Sequence, residues 1–501
     1  MKTNARFSSP VLFLALFSGA LWNAARGQDA HQLTLQEALE TAVDRSYAAS
    51  SVRARYESAK KSAESALRRN WTSVTLSATA PEYSQSLSQQ FNPLTGFYDY
   101  YRLKSSSLRS FLTISQPIHL TGGTLSFSQS LFGRDQTTGL AGEERQTRDF
   151  FGSYSVEYQQ PILTPNLLAI EETRTRAALE QAEAEFARDQ LDLVYSVSEA
   201  FYSVYQLARR VEIVREQVKQ TEESYTTARN KAAGGLIPEV EALQAEVDLS
   251  STRNDLLGAE RELARAKNSL RLLLGIPPDE EVEVAGEIAY RPVEIDLDKA
   301  VASALEHRAE VLAAHRSVAL ADAEVGSARS SNGFRIDLVA RYGLNKRDTL
   351  FRNLFQDFDR TNGVSLSLSI PIFNWGSHGL SVEAAEVRYH DAERNVEYIR
   401  QQVRQEIGDL VNRVRVAESR IRVLERAADV AKQGWEISLE RFRNGTITRN
   451  DLSLAQQRLT TARTNTLNAL VDYQLGLEDL KRRTLWDFEI GAPVRPVLSP
   501  Q

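Results

Sequence analysis

Apolar residues along most of this chain recur at alternating spacings of three and four, the period of a helix packed in a coiled coil. One such seam is Ala242, Ala245, Leu249, Thr252, Leu256, Ala259, Leu263, Ala266, Leu270 and Leu273. A second, weaker seam on the same stretch is Val240, Leu243, Val247, Ser250, Asn254 and Leu257. Similar seams run through Val194, Val197, Phe201, Val204, Ala208 and Val211, through Ile407, Leu410, Val414, Ala417, Ile421, Leu424 and Ala428, and through Leu452, Ala455, Leu459, Ala462, Thr466, Ala469, Tyr473, Gly476 and Leu480. The pattern predicts helices near 34–69, 167–233, 238–275, 296–331, 377–443 and 448–485. The two longest would reach about 100 Å at 1.5 Å per residue. Two short helices stacked end to end would match one long one. A helix with two seams packs on both neighbours, so a ring of them closes into a cylinder. The remaining faces are rich in Glu, Arg, Lys and Gln, as a wall wet on both sides requires. A solid bundle or a solenoid fits the same periodicity.

Six segments alternate with a period of two instead. In Val364–Ile370 aliphatics take one face and serines the other. The others lie around Ile336–Tyr342, Val74–Ala78, Tyr154–Tyr158, Leu112–Ile114 and Leu125–Phe127. At eight to ten residues they are long enough to cross a bilayer when tilted. Their polar faces carry hydroxyls and charges, as a watery lumen permits. A half-buried strand of a soluble sheet also alternates. Trp71, Tyr342, Phe373 and Trp375 sit at or near the predicted strand ends, placed for an interfacial girdle. Four to six strands do not close a barrel, so a membrane reading requires several copies.

The pattern is written twice. Leu35, Ala38, Ala42, Ala59, Ser65, Ala66 and Leu76 fall on the identical residues Leu297, Ala300, Ala304, Ala321, Ser327, Ala328 and Leu338. Further on, Pro161-Ile162 falls on Pro371-Ile372, and Gly235 on Gly445. The predicted layout is a first repeat at 28–282, a linker at 283–295, a second repeat at 296–490 and a tail at 491–501. The first repeat carries an insertion, about 81–150, holding a hairpin of Leu108–Gln116 and Thr124–Leu131. That hairpin either adds staves to a barrel or forms a plug or cap.

Ahead of the repeats, Lys2 and Arg6 precede an apolar core, Val11–Leu21, and small residues at Ala25 and Gly27. This predicts a secretory signal over 1–27. Later segments lack a long uncharged apolar run, so a membrane would be met by strands or an amphipathic surface. The sequence has no cysteine, which excludes disulfides, zinc–cysteine sites, cysteine nucleophiles and a lipidated cysteine. A net charge of −6 without a basic block gives no case for nucleic acid. The six histidines lack metal-ligand spacing, and no phosphate loop, nucleophile elbow or zincin motif appears, so no enzyme and no cofactor is expected. Asn70 and Asn444 match glycosylation sequons at chance level.

Three features together resemble the TolC-like outer-membrane efflux protein family. They are the duplicated halves, the strand-to-helix corners Gln160–Leu163 and Ile370–Gly376, and the turns Gly234–Glu239 and Asn444–Arg449. The resemblance covers nearly the whole chain after the signal. It implies a mainly α fold with a transmembrane β-barrel: a homotrimer whose twelve-stranded barrel in outer-membrane lipid continues as a periplasmic α-helical tunnel. The function implied is an exit duct for a tripartite efflux pump or type I secretion system. The partners implied are a periplasmic adaptor and an inner-membrane transporter. Acidic residues after the second turn narrow the tip in this family; Asp451 takes the first such position, but Leu454 takes the second.

The tip is the candidate functional site. Gly234, Gly235, Asn444 and Gly445 break the long helices and would meet an adaptor. Glu241 and Asp451, each six residues past its turn glycine, would form a ring of six carboxylates in a trimer. Arg443 and Arg449 lie within reach of carboxylates on a neighbouring hairpin. Acids are also ordinary in the first turn of a helix, where the dipole favours them. The competing reading of the whole chain is a periplasmic coiled-coil adaptor or scaffold without a barrel.

Overall fold

The computed structural model describes residues 31–494 except 93–95, 141–142, 163, 287, 289 and 332–334. The predicted signal, 1–27, and Leu163 lie outside the described residues. In chain order the first half holds β1 (His31–Leu33), α1 (Leu35–Arg45), α2 (Tyr47–Arg68), β2 (Ser73–Asn92), β3 (Phe97–Ile118), β4 (Gly123–Leu140), β5 (Glu143–Ile162), α3 (Leu167–Ala233) and α4 (Glu239–Leu274). The second holds β6 (Val282–Val284), α5 (Leu297–His307), α6 (Ala309–Ser331), β7 (Arg335–Asp348), β8 (Asp359–Ser369), α7 (Ser377–Arg443), α8 (Arg449–Thr484), β9 (Trp486–Asp487) and β10 (Ala492–Pro493).

The long helices fall where the heptads place them. Each short leading helix, expected as one piece, is two. Ser46 and Arg308 adopt extended backbone between the pieces. Ser46 then caps α2, its hydroxyl accepting from the Ala49 N–H at 3.0 Å. Arg308 turns its guanidinium to Glu406 at 2.8 Å and to Glu310 at 3.4 Å. At the head of the predicted linker, β6 pairs in parallel with β1.

Packing follows the seams. The seam of α7 is sealed, with Ile407, Leu410, Val414 and Ile421 buried against α8 and α5. Gly476 lets α8 approach closely, since a Cβ there would lie 2.9 Å from Val414 Cγ2. The helices form an open arc, α4–α3–α8–α7 toward the turns and α2–α3–α6–α7 toward the sheet. Apolar stripes remain uncovered at the arc's ends. On α4 these are Val240, Leu243, Val247 and Leu257, the weaker seam. On α7 they are Val416, Val423, Val430 and Ile437, spaced by seven. Among the described residues no helix is long and apolar enough to cross a membrane.

Six of the strands make one antiparallel sheet in the order β2-β3-β4-β5-β7-β8. The inserted hairpin is therefore neither plug nor cap in this chain: β3 and β4 stand between β2 and β5. Register sorts the faces. Val74, Ile114, Phe127, Val156 and Tyr342 share one side, with Leu76 and Leu112 beside them. Ser73, Ser115, Ser126, Glu157 and Arg341 share the other. Four strands are far longer than expected, running to 20, 22, 18 and 20 residues in β2–β5. Alternation fades in their outer halves because charged residues enter the apolar side there, Arg102, Lys104, Asp135 and Arg148 standing among Tyr83, Leu87 and Phe91. Backbone pairing needs no apolar side chain, so the ladder continues where the sequence signal stops.

Candidate functional site at the helical tip

The two turns share one geometry. Gly235 and Gly445 have φ of +74° and +75°, a region that glycine enters without a Cβ clash. The Leu236 N–H donates to the Lys231 carbonyl, and the Thr446 N–H to the Arg441 carbonyl, both at 2.9 Å. Gly234 and Asn444 occupy the C-caps of α3 and α7. Beneath the turns lies a small core of Ala228, Ala245, Leu439, Phe442 and Leu452.

The helix starts that follow differ. In α8 the Thr448 hydroxyl donates to Asp451 Oδ2 at 2.8 Å, and the Thr448 N–H donates to the same oxygen at 3.0 Å. These bonds hold the Asp451 carboxyl below the usual aspartate range. Asp451 is thus the acid of a capping box. Pro238 stands at the corresponding place before α4 and makes no side-chain cap. Glu241 lies in the first turn of α4, half-buried. Leu454 is exposed on α8.

Both arginines cross between hairpins of this chain. Arg443 on α7 pairs with Glu223 on α3 and with Glu440 at 2.8 Å on its own helix. These bonds raise its pKa further above an already high value. Arg449 on α8 pairs with Asp248 on α4 and donates to Gln244 Oε1 at 3.2 Å. Its side chain is only 14% exposed. A third tie joins the Lys231 ammonium to the Phe442 carbonyl, 4.7 Å over the Phe442 ring. Arg443, Arg449 and Asp451 thus share one end of the arc.

The aromatic residues lie at the other end. Trp71 precedes β2, with the Arg68 guanidinium 5.9 Å above its ring. Phe373 and Trp375 follow β8, rings 4.8 Å apart and strongly exposed. Tyr342, expected near a strand end, falls inside β7, because that strand runs on to Asp348.

Comparison with known proteins places this architecture. A family model described as outer membrane efflux protein matches residues 125–276 and 300–484. The chain belongs to that family. Among curated relatives, the probable outer membrane lipoprotein SilC of Salmonella typhimurium is 27% identical over 274 residues, 54% of this chain and 58% of SilC. The outer membrane protein OprJ of Pseudomonas aeruginosa is 26% identical over 298 residues, 58% of this chain and 62% of OprJ. These matches span about three fifths of the relatives' length. Solved structures of family channels share the fold along nearly the whole chain. VceC of Vibrio cholerae superposes with a TM-score of 0.66 at 18% identity, covering 92% of this chain and 97% of VceC. CusC does so with a TM-score of 0.66 at 16% identity, covering 94% and 95%.

The partners of the tip arginines had no distinct signal in the sequence. Glu223, Asp248 and Lys231 look like any charge on a wet helix face until two hairpins meet. A second charged cluster lies where α8 ends. Arg482 donates to Asp192 at 2.7 Å and to Asp479 at 3.0 Å, and Arg483 pairs with Glu406. Nearby, burial pushes the Glu478 carboxyl up. This cluster anchors α8 to α3 and α7.

Proposed function

We propose that this protein is an outer-membrane exit duct: a homotrimer carrying cargo passively across the periplasm and outer membrane for an efflux pump or a type I secretion system. The observation that carries this reading is the open arc. Among the described residues the sheet ends in β2 and β8, each paired on one side only, and the helices end in uncovered stripes on α4 and α7. One end of each layer comes from the first half and the other from the second, so identical copies can join end to end into a ring. Aliphatics on one sheet face and hydroxyls on the other suit a wall between lipid and water. Export begins with a cleaved signal ending at Gly27. Outer-membrane lipid surrounds the strands, with Trp71, Phe373 and Trp375 at the helix-side interface. A periplasmic adaptor and an inner-membrane transporter complete the assembly. The relatives' names include cation, antibiotic and toluene efflux, a spread that suits a duct without a cargo pocket.

The tip is the gate. Arg443–Glu223, Arg449–Asp248 and Lys231–Phe442 hold the hairpins together, and the adaptor replaces these ties at the turns 234–235 and 444–445. Glu241 and Asp451 supply the carboxylates that favour cations. Single-channel recording in planar bilayers tests both parts. The wild type should conduct with cation preference, and Glu241→Gln with Asp451→Asn should weaken that preference. A protein that inserts without conducting would sink the duct, and unchanged selectivity would sink the gate.

A further inference from the structure

We infer that the transmembrane wall is an eighteen-stranded barrel, half as wide again as the twelve-stranded barrel that the family resemblance implies. The inference rests on the trimeric duct proposed above and concerns how three copies close it. Each chain contributes six strands rather than four, and the surface joining copies is the pair of free edges, β8 of one and β2 of the next.

Three observations make the inserted hairpin a stave. First, β3 and β4 pair with both neighbours along their length, from Ser73↔Ser115 through Ser115↔Ser126 to Ser126↔Glu157, interrupted only by one bulge between Thr79 and Glu82 in β2. The faces also continue, with Ile114 and Phe127 extending the apolar row of Val74 and Val156, and hydroxyls extending the opposite row. Second, the hairpin's helix-side turn is fastened to the rim where strands meet helices. The Asn166 side-chain amide donates to the His119 carbonyl at 2.5 Å, while its Oδ1 caps α3. Gln160 donates to the Thr121 carbonyl at 2.8 Å, and His119 Nε2 lies 3.1 Å from the Asn70 carbonyl. A plug or an outer flap would have no reason for these anchors.

Third, the sheet has barrel geometry. The row through Ser73 reaches Gly363 in β8, six residues from that strand's helix-side end at Ser369. With a rise of about 3.3 Å per residue and about 4.8 Å between strands, this stagger is a tilt of about 40°, inside the range for closed barrels. At that tilt eighteen strands close at a backbone diameter of about 36 Å, and twelve at about 24 Å. Each chain supplies four helix columns: α3, α7, α2 with α4, and α6 with α8. Twelve columns at 8–10 Å spacing close at about 30–38 Å. The eighteen-stranded barrel therefore sits flush on the helical cylinder, and its cross-section is about twice that of a twelve-stranded one.

The free edges are matched. β2 runs away from the helices and β8 runs toward them, so the joint between copies is antiparallel. Both edges carry aliphatics on one face (Val74 and Leu76; Leu366 and Leu368) and hydroxyls on the other (Thr75 and Ser77; Ser365 and Ser367).

Electron cryomicroscopy of the full-length protein in detergent tests the inference by counting strands. A three-fold tube with eighteen staves is expected. Twelve staves, with the hairpin in the lumen or outside, would overturn the inference and leave the duct standing. A particle without three-fold symmetry or a detergent belt would overturn both. Engineered cysteine pairs give a second reading against a background free of native cysteine. T75C with T113C should cross-link within a chain, and T75C with S367C between chains. T75C with E157C should not, because two strands separate them by about 14 Å, beyond disulfide reach. A T75C–E157C cross-link, the product of β2 lying directly on β5, would refute the wider barrel.

Discussion

The two halves agree in their helices and disagree in their strands. α3 and α7 are both 67 residues long, and α4 and α8 are both 36. The sheet takes four strands from the first half, of 18–22 residues, and two from the second, of 14 and 11. Each helix turn engages a neighbour through a heptad seam, so any change in length rotates everything beyond it. A hairpin leaves the rim and returns to it. It can be added or lengthened in pairs of residues without moving a helix or exchanging the faces of the sheet. The duplication is therefore kept where packing couples every residue and relaxed where the chain can return to its starting point.

The sharpest way to break this contrast is by deletion. Removing Ala427 alone from α7 turns all that follows by about 100°. It takes Leu439 and Phe442 out of the tip core, and assembly should be lost. Taking two residues from each strand at the outer end of the β4–β5 hairpin should leave a folded oligomer. Heat-dependent gel mobility separates the outcomes, and equal tolerance of both would end the argument.

A smaller effect is expected where the halves meet. Arg449→Ala removes the α8–α4 tie. The pair is partly buried, Arg449 being 14% and Asp248 45% exposed, so its loss should cost at least the about 0.2–1 kcal/mol of an exposed pair, and three copies acting together shift opening at least several-fold. Single-channel open probability should rise, and an unchanged value would show that the tie does not hold the tip.

The smallest effect separates the two helix starts. Thr448→Ala should cost about 1 kcal/mol of local stability, read by hydrogen exchange in the first turn of α8. Pro238→Ala should leave the start of α4 without a comparable loss, having no side-chain cap to remove. The Thr448 cost should also depend on pH. Asp451 is held below its usual range, so its contribution is complete above the ordinary aspartate pKa and fades as pH falls through the depressed one. A cost that persisted unchanged in strong acid would mean that the box does not operate through the carboxylate.

Much of this architecture was legible without coordinates. The seams placed α3 and α7 to the residue, because a helix of that length repeats its burial pattern many times. The turns were legible because glycine is the residue that tolerates their backbone. Ser46 and Arg308 were not seen as breaks, since one extended residue leaves the apolar period intact. The outer halves of β2–β5 were missed because they alternate weakly. Of the tip residues, Arg443 and Arg449 stood out by position, yet Glu223 and Asp248, which answer them, did not.

The sequence by itself determined which faces are apolar, where the chain turns and that it repeats, because these are properties of neighbours along the chain. Only the tertiary structure decided that the inserted hairpin stands between β2 and β5, which carboxylates meet the tip arginines, and which stripes stay uncovered at the ends of the arc. Those are pairings between segments far apart in sequence, and many segments of this chain have the same local pattern. Packing and register select among them, and neither is written at any single position.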